Sequence, residues 1–329
     1  MTDPIDRFLA AVALMGSDSP DAIPDDLARR CGAIEVLGLI GGEAASRALA
    51  AYVRANAPAR IAPEPPFVDR SGAPRIIGFA GRVALEQIAP LPRPRADVAA
   101  ALAALGRLGG APDLSGTCLQ GARLAGAWAG ARLEEARLEG ADLSSADLTG
   151  AVLRRAQMPG ATLTGTRLDR ADLSFANLFQ ARGDGLSAAG AKALTANLCG
   201  ADLKRAAMPG ADLYFADLSF AVLDGADLSG ASLRTTNLRG TFAAGARFAG
   251  ALFERVRWDD ATDLAGADLT GAGFRTCNLA GIGFDAGALD QAFGDRSNTL
   301  PDGMARPAGW SDRRLDWPDF EAAWRGMVG

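Results

Sequence analysis

The chain contains no histidine, which removes the residue that most often serves as a general base or a metal ligand. Its four cysteines, Cys31, Cys118, Cys199 and Cys277, lie far apart and form no Cys-x-x-Cys pair. The sequence therefore predicts neither a zinc site nor a disulfide framework. It also lacks a phosphate-binding glycine loop and a nucleophile elbow. We expect a protein that is not an enzyme and that holds no cofactor and no metal.

Lysine is almost as scarce, because Lys192 and Lys204 are its only occurrences and arginine supplies the other cations. The net charge is −5, and no basic patch of the kind that binds nucleic acid is present. No apolar run approaches the roughly 18 residues of a membrane span. The apolar segment Phe8–Met15 lacks the basic start of a signal peptide. These absences predict a cytoplasmic protein without direct nucleic-acid or membrane binding.

What the chain does contain is a five-residue period. A leucine recurs every fifth residue between Leu114 and Leu289, and a small residue, usually alanine, stands two positions before it. Leucine occupies the centre of 24 of the 36 pentads. Helices repeat near 3.6 residues and strands near 2, so neither explains a period of five. The chain must turn a corner in every pentad to keep leucine inside, and four corners per coil predict about nine stacked coils.

The pentads resemble the consensus Ala-(Asp/Asn)-Leu-x-x of the pentapeptide-repeat family, for example at Ala141–Ser144 and Ala226–Gly230. The resemblance covers about residues 112–289 and implies the fold of that family, a right-handed quadrilateral β-helix. It also implies a mainly β chain whose walls bind other proteins. Some bacterial members of the family mimic DNA and protect DNA gyrase, a type II topoisomerase.

The sequences on either side of the repeat lack the five-residue period. We expect three units: a helical N-terminal leader over 1–110, the β-helix over 111–289, and a C-terminal cap or tail over 290–329. Apolar spacing in the leader predicts helices at Ile5–Val12, Leu27–Leu37, Ala48–Val53, Arg82–Ala89 and Ala96–Leu105, with a proline-rich linker at Pro58–Pro74. Parts of this leader resemble the helical leader of some bacterial pentapeptide-repeat proteins.

The period is interrupted in three places. One pentad near Ala129 is one residue short, and the segment Asp259–Leu264 is one residue long. In the middle of the repeat, Gly183 and two alanines occupy consecutive centres and cannot fill a core. Either one coil is degenerate, or Arg182–Thr195 leaves the wall as a projecting loop with a short helix at Ser187–Leu194. We expect the loop, because glycine and alanine leave little apolar volume to hold the wall.

Two groups of side chains are candidates for partner binding. The first lies around the central interruption and consists of Phe175, Arg182, Asp184, Lys192, Tyr214, Phe215 and Phe220. The second consists of Trp310, Trp317 and Trp324 in the tail. These tryptophans either cover the core of the last coil, bind a partner, or join two tails in a homodimer. The phenylalanines have an alternative role as tolerated wall residues, since this family often places phenylalanine last in a pentad.

Two functions remain open. The first is a non-catalytic scaffold that binds a protein partner through the walls of a rigid rod. The second, implied by the resemblance, is a DNA mimic that binds or protects a type II topoisomerase. Mimicry requires a strongly negative surface, whereas residues 111–289 carry 20 acidic and 17 basic side chains. The near balance of charge favours the scaffold.

Overall fold

A computed structural model describes residues 24–57, 93–285 and 287–328. In chain order its helices are α1 (Pro24–Ile40), α2 (Gly42–Asn56), α3 (Ala96–Leu108) and α4 (Trp317–Val328), and its strands are β1 (Ser232–Arg234), β2 (Leu252–Glu254), β3 (Gly273–Arg275) and β4 (Phe293–Gly294). The helices predicted over Leu27–Leu37, Ala48–Val53 and Ala96–Leu105 are confirmed. The helices predicted at Ile5–Val12 and Arg82–Ala89, and the linker at Pro58–Pro74, lie outside the described residues.

Helices α1, α2 and α3 pack together through their apolar faces, and Ile34, Leu49 and Leu102 are buried where they meet. A polar contact ties α2 to α3 inside this apolar surrounding: the Tyr52 hydroxyl donates to Asp97 Oδ2 at 2.6 Å. Burial and the neighbouring Asp97 carboxylate raise the pKa of Tyr52. The phenol therefore stays protonated and keeps the buried carboxylate hydrogen-bonded.

The repeat forms a rod of stacked coils. The residue before each centre pairs in parallel with the residue one coil later, so that Arg137 pairs with Gln157, Gln157 with Asn177 and Asn177 with Asn197. The leucine centres and the alanines two positions before them point inward and are buried. Strands β1 to β4 are a longer stretch of one such ladder, in the order β1-β2-β3-β4. Pairing continues past Leu289 as far as Thr299.

Aspartate before a centre has a local role in the turn that follows. Asp142 Oδ1 accepts from the backbone N–H of Ser144 at 3.0 Å, and Asp147 Oδ1 accepts from Thr149 at 3.1 Å. Asn177 makes the same bond to Phe179. This Asx-type hydrogen bond explains why Asp and Asn recur at that position of the pentad.

The prediction of a projecting loop over Arg182–Thr195 is wrong. Arg182 pairs with Thr162 on one side and Asp202 on the other, so this coil stays in the wall, and no helix forms at Ser187–Leu194. Leu186, in a position usually held by alanine, turns inward and occupies the space beside Gly183, where any added side-chain carbon would collide with its methyl group. The filling is incomplete, and an apolar cavity of about 30 Å³ remains between Leu186, Ala188, Ala193 and their leucine neighbours.

The short pentad near the N-terminal end also differs from the prediction. The centre is the fully buried Trp128 and not Ala129, which is exposed. Pairing of Ala127 with Asp147 places Trp128 in register with Leu148. The long segment at Asp259–Leu264 is confirmed, because Phe242 pairs with Asp263 at a separation of 21 residues.

The two ends of the rod are covered by different structures. At the N-terminal end, the Cys118 and Ala127 N–H groups donate to the carbonyls of Ala57 and Gly106, at 2.7 and 2.8 Å. At the C-terminal end, Trp310 stacks on Phe274 with ring centroids 6.0 Å apart. Both arrangements protect a ladder edge that would otherwise expose unpaired backbone groups and core side chains.

Helix α4 turns back and lies against the outside of the wall formed by β2, β3 and β4. Phe320 is fully buried there against Leu252 and Phe293, with the Phe293 and Phe320 rings 5.2 Å apart. The Trp324 ring lies directly over Gly273, and its Nε1 donates to the Gly271 carbonyl at 2.7 Å. The tail helix is thus part of the folded rod.

Candidate interaction edge

The corners of the rod use the left-handed backbone conformation. The second residue after most centres has a positive φ, as at Gly140 (61°), Gly150 (67°) and Gly165 (64°). Glycine is the natural residue there because it has no Cβ to collide with the following carbonyl. Along three of the four corners glycine predominates, and the exceptions are Ser145, Arg170, Gln180, Arg205 and Phe220.

The fourth corner differs. From the second coil onward it has no glycine, and we call it the glycine-free edge. Its members, with φ from 52° to 61°, are Glu135, Arg155, Phe175, Thr195, Phe215, Thr235, Arg255 and Thr276. An L-residue in this conformation costs about 1–2 kcal/mol. Summed over the eight residues of the edge, the cost is about 8–16 kcal/mol, which is comparable with the roughly 5–15 kcal/mol that typically stabilises a whole domain.

The side chains in the middle of the glycine-free edge are apolar and exposed. Phe175 is 51% exposed and Phe215 is 50% exposed, and Thr195 lies between them. Tyr214 packs edge-on against Phe215, with ring centroids 4.5 Å apart. The Arg234 guanidinium lies over the Tyr214 ring at 5.5 Å. The edge therefore presents aromatic rings in a conformation that glycine would adopt without strain, an arrangement typical of functional sites.

The backbone N–H groups in the middle of this edge are hydrogen-bonded within the rod. The Phe175 N–H donates to the Leu194 carbonyl at 2.8 Å, and the Phe215 N–H donates to the Arg234 carbonyl at 3.0 Å. The Thr195 N–H donates to the Tyr214 carbonyl at 2.8 Å. A partner at this edge would accordingly find no free N–H donor at these three residues.

The structure separates several of the predicted residues from this edge. Arg182 is exposed on another wall, and Asp184 pairs there with Arg205, whose Nε lies 3.1 Å from Asp184 Oδ1. Phe220 occupies the neighbouring corner, where its ring covers Gly240. Lys192 is exposed on the same wall as Tyr214, in register between two aspartates.

The three tail tryptophans contact the rod of their own chain. Trp310 is 5% exposed and donates Nε1 to the Ala292 carbonyl at 2.9 Å, so its ring is not available as a surface patch. Trp324 is half-buried over β3. Trp317 lies over the guanidinium groups of Arg234 and Arg275, at 5.1 and 5.7 Å. Sequence reasoning missed α4, although Trp317, Phe320 and Trp324 have helical spacing.

Charged side chains on the walls pair along the rod axis. The ion pairs between neighbouring coils include Arg154–Glu134 at 2.8 Å, Arg155–Glu135 at 3.2 Å, Arg167–Asp147 at 3.6 Å and Arg247–Asp227 at 3.5 Å. Because acid and base alternate within a column, these walls carry no continuous acidic stripe.

Within the described ranges, no three acidic or cysteine side chains come together as a group able to hold a metal ion. The helices in the part of the chain that the structure describes are each too short or too polar to cross a membrane.

Stacked pentad coils with outward-facing polar walls define a repeat solenoid, in which each coil contacts its neighbours and the surface is extended. The family model described as "Pentapeptide repeats" matches eight copies, at residues 129–165, 146–182, 194–234 and 216–255. The chain is 32% identical to HetL, a pentapeptide repeat protein involved in heterocyst differentiation regulation in the cyanobacterium Nostoc sp. strain PCC 7120. That match covers 60% of this chain and 86% of HetL, with a TM-score of 0.33.

Two further solved structures are more distant. A pentapeptide repeat protein from the Arabidopsis thaliana thylakoid lumen is 22% identical over 51% of this chain and 84% of its own, with a TM-score of 0.20. QnrB1, a plasmid-mediated fluoroquinolone resistance protein, is 19% identical over 60% of this chain and 88% of its own, with a TM-score of 0.24. Curated proteins give no match.

The chain belongs to the pentapeptide-repeat family. Its members are right-handed quadrilateral β-helices, and they are generally structural or interaction proteins and not enzymes.

Proposed function

We propose that this protein is a non-catalytic interaction scaffold, a rod of about nine coils that binds a protein partner at the glycine-free edge. The observation that carries the proposal is the pair of exposed rings, Phe175 and Phe215, in strained backbone on the one corner without glycine. Exposed aromatic side chains are enriched at protein interfaces. In this proposal the leader (1–110) and the tail (290–329) close the ends of the rod (111–289).

A site-specific photo-crosslinking experiment in the source cell tests the scaffold. The photoreactive residue p-benzoylphenylalanine is introduced singly at Phe175 and Phe215, with Phe220 and Arg182 as matched surface controls on other parts of the rod. We expect one discrete adduct of the same mass at both positions of the glycine-free edge and none at the controls. Absence of an adduct at either edge position contradicts the proposal.

The alternative, a DNA mimic that binds a type II topoisomerase, finds no support in the charge distribution. The pairs Arg167–Asp147 and Arg247–Asp227 neutralise carboxylates that a duplex-like surface would leave free. We expect no inhibition or protection of DNA gyrase in a supercoiling assay at micromolar protein. Either effect would restore the alternative.

A further inference from the structure

We propose that the partner segment bound by the glycine-free edge is an amphipathic α-helix with apolar side chains spaced seven residues apart. The inference rests on the proposed scaffold function and specifies the chemistry of the partner. Three observations carry it: the bonded N–H groups at the edge, the spacing of the exposed rings, and a helix already bound to the adjoining wall.

The bonded N–H groups argue against recognition by strand addition, which needs free donors as well as free acceptors on the receiving edge. An extended peptide binds a sheet edge by pairing with free N–H and C=O groups. Here the N–H groups of Phe175, Thr195 and Phe215 all donate to the next coil. With no free N–H donors at these three residues, the side chains are the main recognition surface, and an amphipathic helix docks by packing an apolar stripe against side chains.

The spacing of the rings fits a helix. Phe175 and Phe215 are two coils apart, and coils stack at about 4.8 Å, so the two corners lie about 10 Å apart. Seven residues of an α-helix rise about 10.5 Å. A helix parallel to the rod would thus meet the two rings with residues i and i+7. The small side chain of Thr195 leaves room between them for the residue at i+3 or i+4.

The wall beside this edge already binds a helix, namely α4 of the same chain. Phe320 of α4 is fully buried against side chains of β2 and β4. At the start of α4, Trp317 lies over Arg234, Arg234 lies over Tyr214, and Tyr214 packs on Phe215. The exposed rings of the glycine-free edge therefore continue a surface that packs against an apolar helical stripe.

The test begins with the adducts formed by full-length protein carrying p-benzoylphenylalanine at Phe175 or Phe215. Mass spectrometry locates the cross-linked partner segment, and that segment is synthesised as a peptide. Circular dichroism and fluorescence anisotropy then follow its binding to the purified full chain. We expect an apolar i, i+3 or i+4, i+7 pattern in the segment and a gain of helicity on binding.

The double variant Phe175→Gly/Phe215→Gly provides the decisive comparison. Glycine suits the left-handed backbone at both positions, so the double variant should keep the fold of the rod. We expect the peptide to bind the double variant at least about tenfold more weakly, as for central aromatic residues of other interfaces. The variant Phe220→Gly, on the neighbouring corner, should bind like the wild type.

The outcomes separate the two proposals. Suppose that adducts form at the edge but the cross-linked segment stays extended when bound, or belongs to a second copy of this chain. Either result would contradict the proposal of a helical partner segment and would still agree with the scaffold function. Equal binding by the double variant would also overturn the helix. Absence of adducts would overturn both.

Discussion

The C-terminal coils and the central coil of this rod solve the same packing problem in opposite ways. At the C-terminal end, Phe253 and Phe274 stack with centroids 4.8 Å apart, and Trp310 continues the stack. In the central coil, Gly183 offers no side chain, and Leu186 fills the space from a different pentad position. Yet the ladder of parallel pairs runs through both regions without a break.

The comparison shows that backbone pairing sets the shape of the rod, while the core side chains need only supply the right volume. Cores tolerate extensive apolar exchange when total volume is kept. The central coil falls slightly short of this, as its cavity of about 30 Å³ shows. At about 24 cal/mol per Å³, such a cavity costs less than 1 kcal/mol.

The largest effect should come from removing the leucine that fills the central coil. We expect Leu186→Ala to lower the free energy of unfolding by about 4 kcal/mol, because Gly183 beside it has no side chain that could close the cavity. The compensated variant Gly183→Leu/Leu186→Ala restores the usual pentad order and should recover all but about 1.5 kcal/mol. Urea unfolding measures both. A compensated variant no more stable than Leu186→Ala would refute the volume argument.

At the C-terminal end, Trp310→Ala should cost about 3 kcal/mol by uncovering Phe274. Since each coil contacts only its neighbours, the loss should remain local. Hydrogen exchange should accelerate in residues 271–300 and remain unchanged in the coils before Leu233. Exchange that accelerates uniformly along the rod would contradict this.

The strain of the glycine-free edge gives a smaller effect of opposite sign. We expect Phe175→Gly to raise the free energy of unfolding by about 0.5–1 kcal/mol, because glycine adopts the left-handed backbone more easily. The matched control is Gly185→Ala on another corner, where φ is 65° and the space around an added Cβ is open. That variant should lose about 1 kcal/mol. A destabilised Phe175→Gly would show that the ring stabilises the rod.

The smallest effect concerns pH. Hydrogen bonds from Ser144 and Thr149 lower the pKa of Asp142 and Asp147 in the folded rod. A carboxyl with a lowered folded pKa contributes stability above its ordinary pKa and loses it as the pH falls. Asp142→Asn/Asp147→Asn keeps the turn acceptors but removes the charge, so its melting temperature at pH 7 should lie slightly below that of the wild type. Between pH 5 and pH 3 the double variant should lose less stability than the wild type, and identical slopes would contradict the assignment.

The sequence predicts the wall of this rod well because each pentad repeats the same residue pattern. A small residue and a leucine point inward, and Asp or Asn accepts a hydrogen bond at the turn. It misleads where side chains exchange positions. Leu186 lies off the leucine register and suggested a loop, although it fills the volume that Gly183 leaves. The sequence also places a core residue wrongly at Trp128, because the short pentad shifts the register by one residue.

The candidate site was only partly predictable. Aligning residues twenty apart places Phe175 and Phe215 in one column, but only the backbone shows that this column is left-handed throughout. The contact between Tyr52 and Asp97 joins residues 45 positions apart and has no local signal. Arg182 and Asp184 share one wall and Phe220 lies on the neighbouring corner, so the sequence grouped them with an edge from which the structure separates them.

The hydrogen bonds from Cys118 and Ala127 to Ala57 and Gly106 allow the first coil to form against the leader. The leader gives the first coil two backbone acceptors, and each coil gives backbone acceptors to the next. A nascent chain can thus lay the rod down turn by turn as it leaves the ribosome. On this account the leader supports the first coil, and Trp310 covers the last.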